Sequence, residues 1–82
     1  MKIVAFYGAE WCGDCRRSRA LLDKYGVIYD YIDIDKVADA ADKVAEMNNG
    51  SKSIPTIVFD DDTILVEPSN LELQNKLHLG FS

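Results

Sequence analysis

One alternation in residues 2–33 restricts this chain more than anything else in it: an apolar run, a stretch with helical spacing and a second apolar run, punctuated by glycines. Residues 2–7 (KIVAFY) are too few for a helix and rich in β-branched and aromatic side chains, so they read as a buried strand ending at Gly8. From residue 13 to about residue 25, Cys15, Ser18, Leu22 and Tyr25 fall on one helical face with Leu21 beside them, leaving Arg16, Arg19 and Asp23 outside. Gly26 is the expected stop. Residues 27–33 (VIYDYID) alternate in polarity and read as the second strand. A strand, a helix and a strand in this order imply a parallel pair joined by a right-handed crossover.

The rest of the chain extends that unit. A second helix is expected over residues 36–47, with Val37, Ala41, Val44, Ala45 and Asn48 inward, an acidic first turn and Gly50 as its stop. Residues 56–59 and 64–66 form a hairpin around Asp60, Asp61 and Asp62. Ser69 after Pro68, with Glu72 three residues on, makes a capping box for a last helix that turns Leu73 and Leu77 inward and ends at Gly80. The hairpin adds antiparallel strands to the same small sheet. The expectation is an α/β fold of three layers, with helices on both faces of a four-stranded mixed sheet and one domain spanning residues 1–82.

Composition removes several function classes. A chain of 82 residues has no room for a second domain, and 48% hydrophobic residues without low-complexity runs is a globular composition. The net charge of −5 and the scattered Lys and Arg give no basic footprint for phosphates, so nucleic acid is not an expected partner. The apolar run after Lys2 is shorter than the roughly 7–15 residues of a signal peptide core, and nothing approaches the ~18 of a membrane helix. A cytoplasmic monomer without membrane contact is expected. Adjacent Asp60, Asp61 and Asp62 cannot converge on one calcium ion and read as a charged hairpin tip, and the acidic run from Asp30 through Asp42 as a solvated edge and helix start.

Two cysteines are too few for the disulfide framework of a small secreted domain, but Cys12 and Cys15 are only three positions apart. Cys12 falls where the first strand has ended and the helix begins, so its sulfur meets unpaired N–H groups and the positive end of the helix dipole. Cys15 lies one turn on, within reach of a disulfide. Because Cys15 shares the core face while Cys12 projects toward solvent, Cys12 is expected to attack a disulfide and Cys15 to resolve the mixed disulfide. Asp14 opposes the thiolate: at about 7 Å and an effective dielectric near 20 the repulsion is about 2.4 kcal/mol, comparable to what a helix end returns. Arg16 and Arg17 are then the residues that tune the balance.

Trp11 is either an apolar platform for substrate beside Cys12 or ordinary packing. Pro55, on a loop entering a strand, is either a strand-entry proline or a cis proline set against the cysteines, where the backbone of Ile54 would offer hydrogen bonds to a bound thiol or peptide. A structural zinc site needs four ligands, and His78, on the last helix, is the one further good nitrogen or sulfur donor, so no metal is expected.

The strings Tyr7-Gly8-Ala9-Glu10-Trp11-Cys12-Gly13-Asp14-Cys15 and Ser53-Ile54-Pro55-Thr56, with Pro68-Ser69 opening the last helix, resemble those of glutaredoxin-like proteins, and within them most the mycoredoxin branch. The resemblance spans nearly the whole chain. It implies the βαβαββα arrangement, Pro55 as the family's cis proline, Cys12 as the nucleophile of a disulfide oxidoreductase, and no tightly bound cofactor. The glycine pair and paired aspartates that usually open the last helix of glutathione-using members are replaced by Glu67-Pro68-Ser69-Asn70. By analogy, Ser69 and Asn70 would receive a sugar-containing thiol such as mycothiol rather than glutathione as co-substrate. Thioredoxins carry a buried Asp where this chain has Phe6. The partners implied are protein disulfides or mixed disulfides and a low-molecular-weight thiol, or alternatively a thioredoxin-type reductase. A dimer sharing an iron-sulfur cluster through Cys12 and a redox-inactive binding domain on the same fold are the other readings.

Overall fold

The computed structural model describes residues 1–80. Its elements follow the order β1 (Ile3–Gly8), α1 (Gly13–Lys24), β2 (Tyr31–Asp33), α2 (Ala40–Met47), β3 (Thr56–Phe59), β4 (Ile64–Val66) and α3 (Asn70–Leu77). The sheet runs β2-β1-β3-β4, with β1 parallel to β2 and antiparallel to β3, and β3 antiparallel to β4. Helices α1 and α3 pack against each other on one face and α2 covers the other, giving the expected three-layer α/β arrangement.

Burial follows the sequence pattern in the central elements. Fully buried Phe6 from β1, Ile57 and Phe59 from β3, Leu22 from α1, Val44 from α2 and Leu73 from α3 make one core. Burying a side chain of this kind contributes about 1.5–3 kcal/mol, so these few residues supply much of what a modest core can supply. Tyr29 and Tyr31 lay their rings near Phe6, at 5.5 and 5.9 Å between centroids.

Two elements are shorter than their patterns suggest. Regular pairing in β2 covers only Tyr31–Asp33, since β1 has partners for it only at Phe6, Tyr7 and Gly8. Val27 and Tyr29 still pack on the core, but Ile28 is exposed. Helix α2 begins at Ala40 rather than at residue 36. Asp33 accepts from the backbone N–H groups of Lys36 and Val37 at its carbonyl and from that of Asp35 at its carboxylate, which commits residues 33–37 to tight turns. Asp39 is then left-handed (φ 65°), so no helix runs through it. Val37 is half exposed in consequence, and Ala40 takes the inward place instead. Asp33, read as part of a solvated edge, is buried.

The capping box of α3 forms as expected: Ser69 Oγ accepts from Glu72 N at 3.1 Å and Glu72 Oε1 accepts from Ser69 N at 3.0 Å. The helix stops at His78, left-handed at φ 55°, two residues before Gly80. His78 is therefore an exposed helix terminus. At the hairpin tip Asp61 accepts from the Thr63 hydroxyl, from the Thr63 backbone N–H and from Lys76 of α3, and these partners hold its carboxyl down at about 2. Ser69→Ala should lower the unfolding free energy by about 1 kcal/mol, measured by denaturant titration, because it removes the acceptor for an otherwise unpaired helix N–H.

Candidate active site

The carboxyl end of β1 delivers the chain into a short loop whose geometry is set by hydrogen bonds on three sides. Within it, Cys12 N donates to Ala9 O at 3.2 Å, and Cys12 becomes the N-cap of α1 in extended backbone conformation. Its sulfur takes the part that a Ser or Asp oxygen usually plays, accepting from Cys15 N at 3.3 Å. The thiol of Cys12 lies 3.9 Å from Ile54 O, across the loop before β3. The Ile54–Pro55 peptide is cis, as the resemblance implied. Cys12, Cys15, Ile54 and Pro55 are thus brought together.

The exposure of Cys12 is a correction. It was expected to project into solvent, yet it retains only 9% of its accessible surface, because capping turns the sulfur back over the helix end and under Ile54. Cys15 retains 0%, so the order of accessibility survives. Burial first, and then the hydrogen bond with Cys12, push the Cys15 thiol up to about 12. Room for Cys15 comes from Gly8: a Cβ there would lie 3.0 Å from Cys15 Sγ, 3.0 Å from Phe6 and 3.3 Å from the Tyr31 ring.

Charges around the pair are arranged through Arg17. Its guanidinium approaches Asp14 at 3.7 Å, and also donates to Asn70 Oδ1 at 2.5 Å and to Pro68 O at 2.8 Å. Arg17 therefore offsets Asp14 and at the same time fastens the start of α3 to α1. Arg16 is exposed and makes no ion pair among the described residues. Ser69 is exposed at the start of α3, with its side chain already engaged in the capping box. Asn70 stands beside it, its carbonyl oxygen oriented by Arg17.

Trp11 is 68% exposed, which removes the packing alternative. Its indole N–H donates to Asp35 Oδ2 at 2.7 Å, so the ring is held although little covers it. On the next side of the loop Glu10 Oε2 accepts from Arg19 Nη1 at 3.0 Å and from the Tyr31 hydroxyl at 2.9 Å, with the Arg19 guanidinium stacked 3.7 Å from the Tyr31 ring centroid. The cis-proline loop is fixed as well: Thr56 Oγ1 donates to Ser53 O at 2.6 Å and accepts from Asn48 Nδ2 at 3.0 Å, while Glu67 N donates to Pro55 O.

Sequence reasoning did not find Gly8, Asp35, Glu10 or the Asn48–Thr56 pair. Gly8 was read as a strand terminus only, and the Trp11–Asp35 contact crosses 24 positions with no local signature. Among the described residues no three His, Cys, Asp or Glu side chains converge on a point where a metal would sit, and no helix is long and apolar enough to cross a membrane.

Two outcomes follow from this geometry. Asp35→Ala frees the indole, so the fluorescence anisotropy of Trp11, the chain's one tryptophan, should fall while the unfolding midpoint changes little. Because the Cys15 thiol is raised in the folded state, its stabilising effect is complete below about 9 and is lost as pH rises toward about 12. Denaturation midpoints should therefore fall more steeply over that range for the native chain than for Cys15→Ala.

Comparison with known proteins agrees with this arrangement. The glutaredoxin family model matches residues 4–64. A Mycobacterium tuberculosis protein named "Putative glutaredoxin" is 35% identical over 74 residues, covering 90% of this chain and 88% of the relative. Mycoredoxin 1 of Corynebacterium glutamicum is 34% identical over 77 residues, covering 94% of this chain and 95% of the relative. Among solved structures, a glutaredoxin of Archaeoglobus fulgidus superposes with a TM-score of 0.77 at 28% identity, covering 94% of this chain and 87% of that one. A thioredoxin-like protein superposes with the same TM-score and identity, covering 93% and 99%. The chain is a redox protein with a thioredoxin-like fold and a C-x-x-C motif, and it belongs to the glutaredoxin family.

Proposed function

We propose that this protein reduces mixed disulfides and protein disulfides, with Cys12 as nucleophile and Cys15 as resolving thiol. The observation that carries the reading is the asymmetry of the pair. Cys12 sulfur sits on the N-terminus of α1, accepting an N–H bond at 3.3 Å, whereas Cys15 is sealed one turn behind it. A backbone N–H and the helix N-terminus both face the Cys12 sulfur, and a helix end contributes about 0.3–2 kcal/mol toward a negative charge developing beside it. Nucleophilic character therefore belongs to the sulfur that substrate can reach.

The chemistry proceeds by exchange. Cys12 thiolate attacks one sulfur of the substrate disulfide, forming a mixed disulfide and releasing the other half as a thiolate. Cys15 then attacks Cys12, the Cys12–Cys15 bond forms, and the remaining substrate sulfur leaves as a thiol with the proton that Cys15 gives up. We assign substrate contact to the exposed Trp11 ring, the Ile54 backbone with cis Pro55, and the exposed residues Ser69 and Asn70 at the start of α3. Asp14, Arg16 and Arg17 set the local charge.

For the returning electrons we favour a low-molecular-weight thiol, with mycothiol ahead of glutathione. The support is the Glu67-Pro68-Ser69-Asn70 rim, which lacks paired aspartates, and the similarity to mycoredoxin 1. A reducing cytoplasm is the compartment in which such a dithiol operates.

The test is turnover of a mixed-disulfide substrate with mycothiol, glutathione or a thioredoxin reductase system as the sole electron source. Cys12→Ser should reduce turnover to the uncatalysed background in every case, and mycothiol should give the highest rate with the native chain. Equal rates with Cys12→Ser would defeat the assignment of the nucleophile. Faster reduction by thioredoxin reductase than by either thiol would replace the donor and leave the nucleophile in place.

A further inference from the structure

Ser18 and Cys15 lie one turn apart on the inward face of α1, and both are completely buried. Residues at this spacing are neighbours, with Cβ atoms about 5–6 Å apart. Helical Cα–Cβ bonds tilt toward the N-terminus, so the Ser18 side chain leans over the turn that carries Cys15. Among the described residues its hydroxyl has no hydrogen-bond partner in the dithiol state. A sealed hydroxyl without a partner carries a desolvation penalty, and alanine at the same helical position would avoid it. The hydroxyl has no use in this state of the protein.

The resolving step supplies one. When Cys15 gives up its proton, negative charge appears within the apolar core cluster, beside Phe6, which offers no donor. The backbone of Ala9 favours the charged form there, and Cys12 and Asp14 oppose it. The Tyr31 hydroxyl, whose ring borders the same space at Gly8, is directed instead to Glu10.

We propose that Ser18 is the side-chain hydrogen-bond donor to Cys15 sulfur as that thiol becomes a thiolate and attacks the mixed disulfide on Cys12. The proposal rests on the assignment of Cys15 as resolving thiol. In the step, the bond from Cys12 to the substrate sulfur breaks and the Cys12–Cys15 bond forms. The substrate sulfur departs with the electron pair and takes up the proton lost by Cys15, while Ser18 keeps its own proton throughout.

The experiment mixes the reduced protein with the aromatic disulfide dithio-bis-nitrobenzoate in a stopped-flow instrument. Attack by Cys12 releases one coloured aryl thiolate and resolution by Cys15 releases a second. In Ser18→Ala the second phase should slow about tenfold, the loss expected of one hydrogen bond to a charged group, and its pH profile should move upward. The first phase should be unchanged and the unfolding midpoint equal or higher. Ser18→Thr and Ser18→Val, alike in shape and different in the hydroxyl, form a second pair in which only Thr should retain the fast second phase. A native second phase in Ser18→Ala, equal slowing of both phases, or identical Thr and Val variants would overturn the proposal. Failure of the underlying assignment looks different: the second phase would be missing from the native chain, or would persist in Cys15→Ser.

Discussion

The N-cap of α1 is the contact on which the site depends. Most helices close their first turn with an oxygen, and this one closes it with the sulfur of Cys12 accepting from Cys15 N at 3.3 Å. One hydrogen bond thereby ends the β1–α1 loop, starts the helix and gives the sulfur proposed as nucleophile an N–H partner. It also suits the role proposed for a residue with so little accessible surface. The sulfur keeps two polar neighbours, the Cys15 N–H at the helix end and the Ile54 carbonyl, although the residue packs with the apolar core and its exposure is low.

Everything else near the site holds that loop and its neighbours in register. Glu10 is tied to α1 and β2 through Arg19 and Tyr31, and Trp11 is tied to the turn after β2 through Asp35. Asn48 and Thr56 hold the cis-proline loop, and Arg17 joins the redox helix to the start of α3. These are exposed or half-buried contacts, each worth little alone. Together they tie the β1–α1 loop to α1, to β2 and to the turn after it, the end of α2 to β3, and α1 to the start of α3. A small core leaves the loops little apolar support, and polar ties take its place.

Much of the fold was legible because local signals and burial agreed. The capping box at Ser69 and Glu72, the inward face of α1 and the two runs of the hairpin are short-range patterns, and each appears where the pattern placed it. The failures fall where a local pattern lost to a tertiary demand. Residues 36–39 have helical periodicity but are drawn into turns by Asp33, and residues 27–30 have strand alternation but find no ladder on β1. At the site, the cysteines were legible from spacing alone. Gly8 and Asp35 were not, since their roles are defined only by what the fold brings beside them. The burial of Cys12 was missed for a related reason: a side chain at a helix start was expected to point outward, and a sulfur acting as its own cap points back.

The division of labour between the two sulfurs is the central claim, and covalent trapping tests it most directly. Single-cysteine variants, Cys12→Ser and Cys15→Ser, are exposed to the same small disulfide, and the adduct is located by peptide mass spectrometry. Cys12 should be modified rapidly in the Cys15→Ser chain, and Cys15 almost not at all in the Cys12→Ser chain at neutral pH. Comparable modification of Cys15 would contradict it, for then burial one turn into α1 would not separate the nucleophile from its partner.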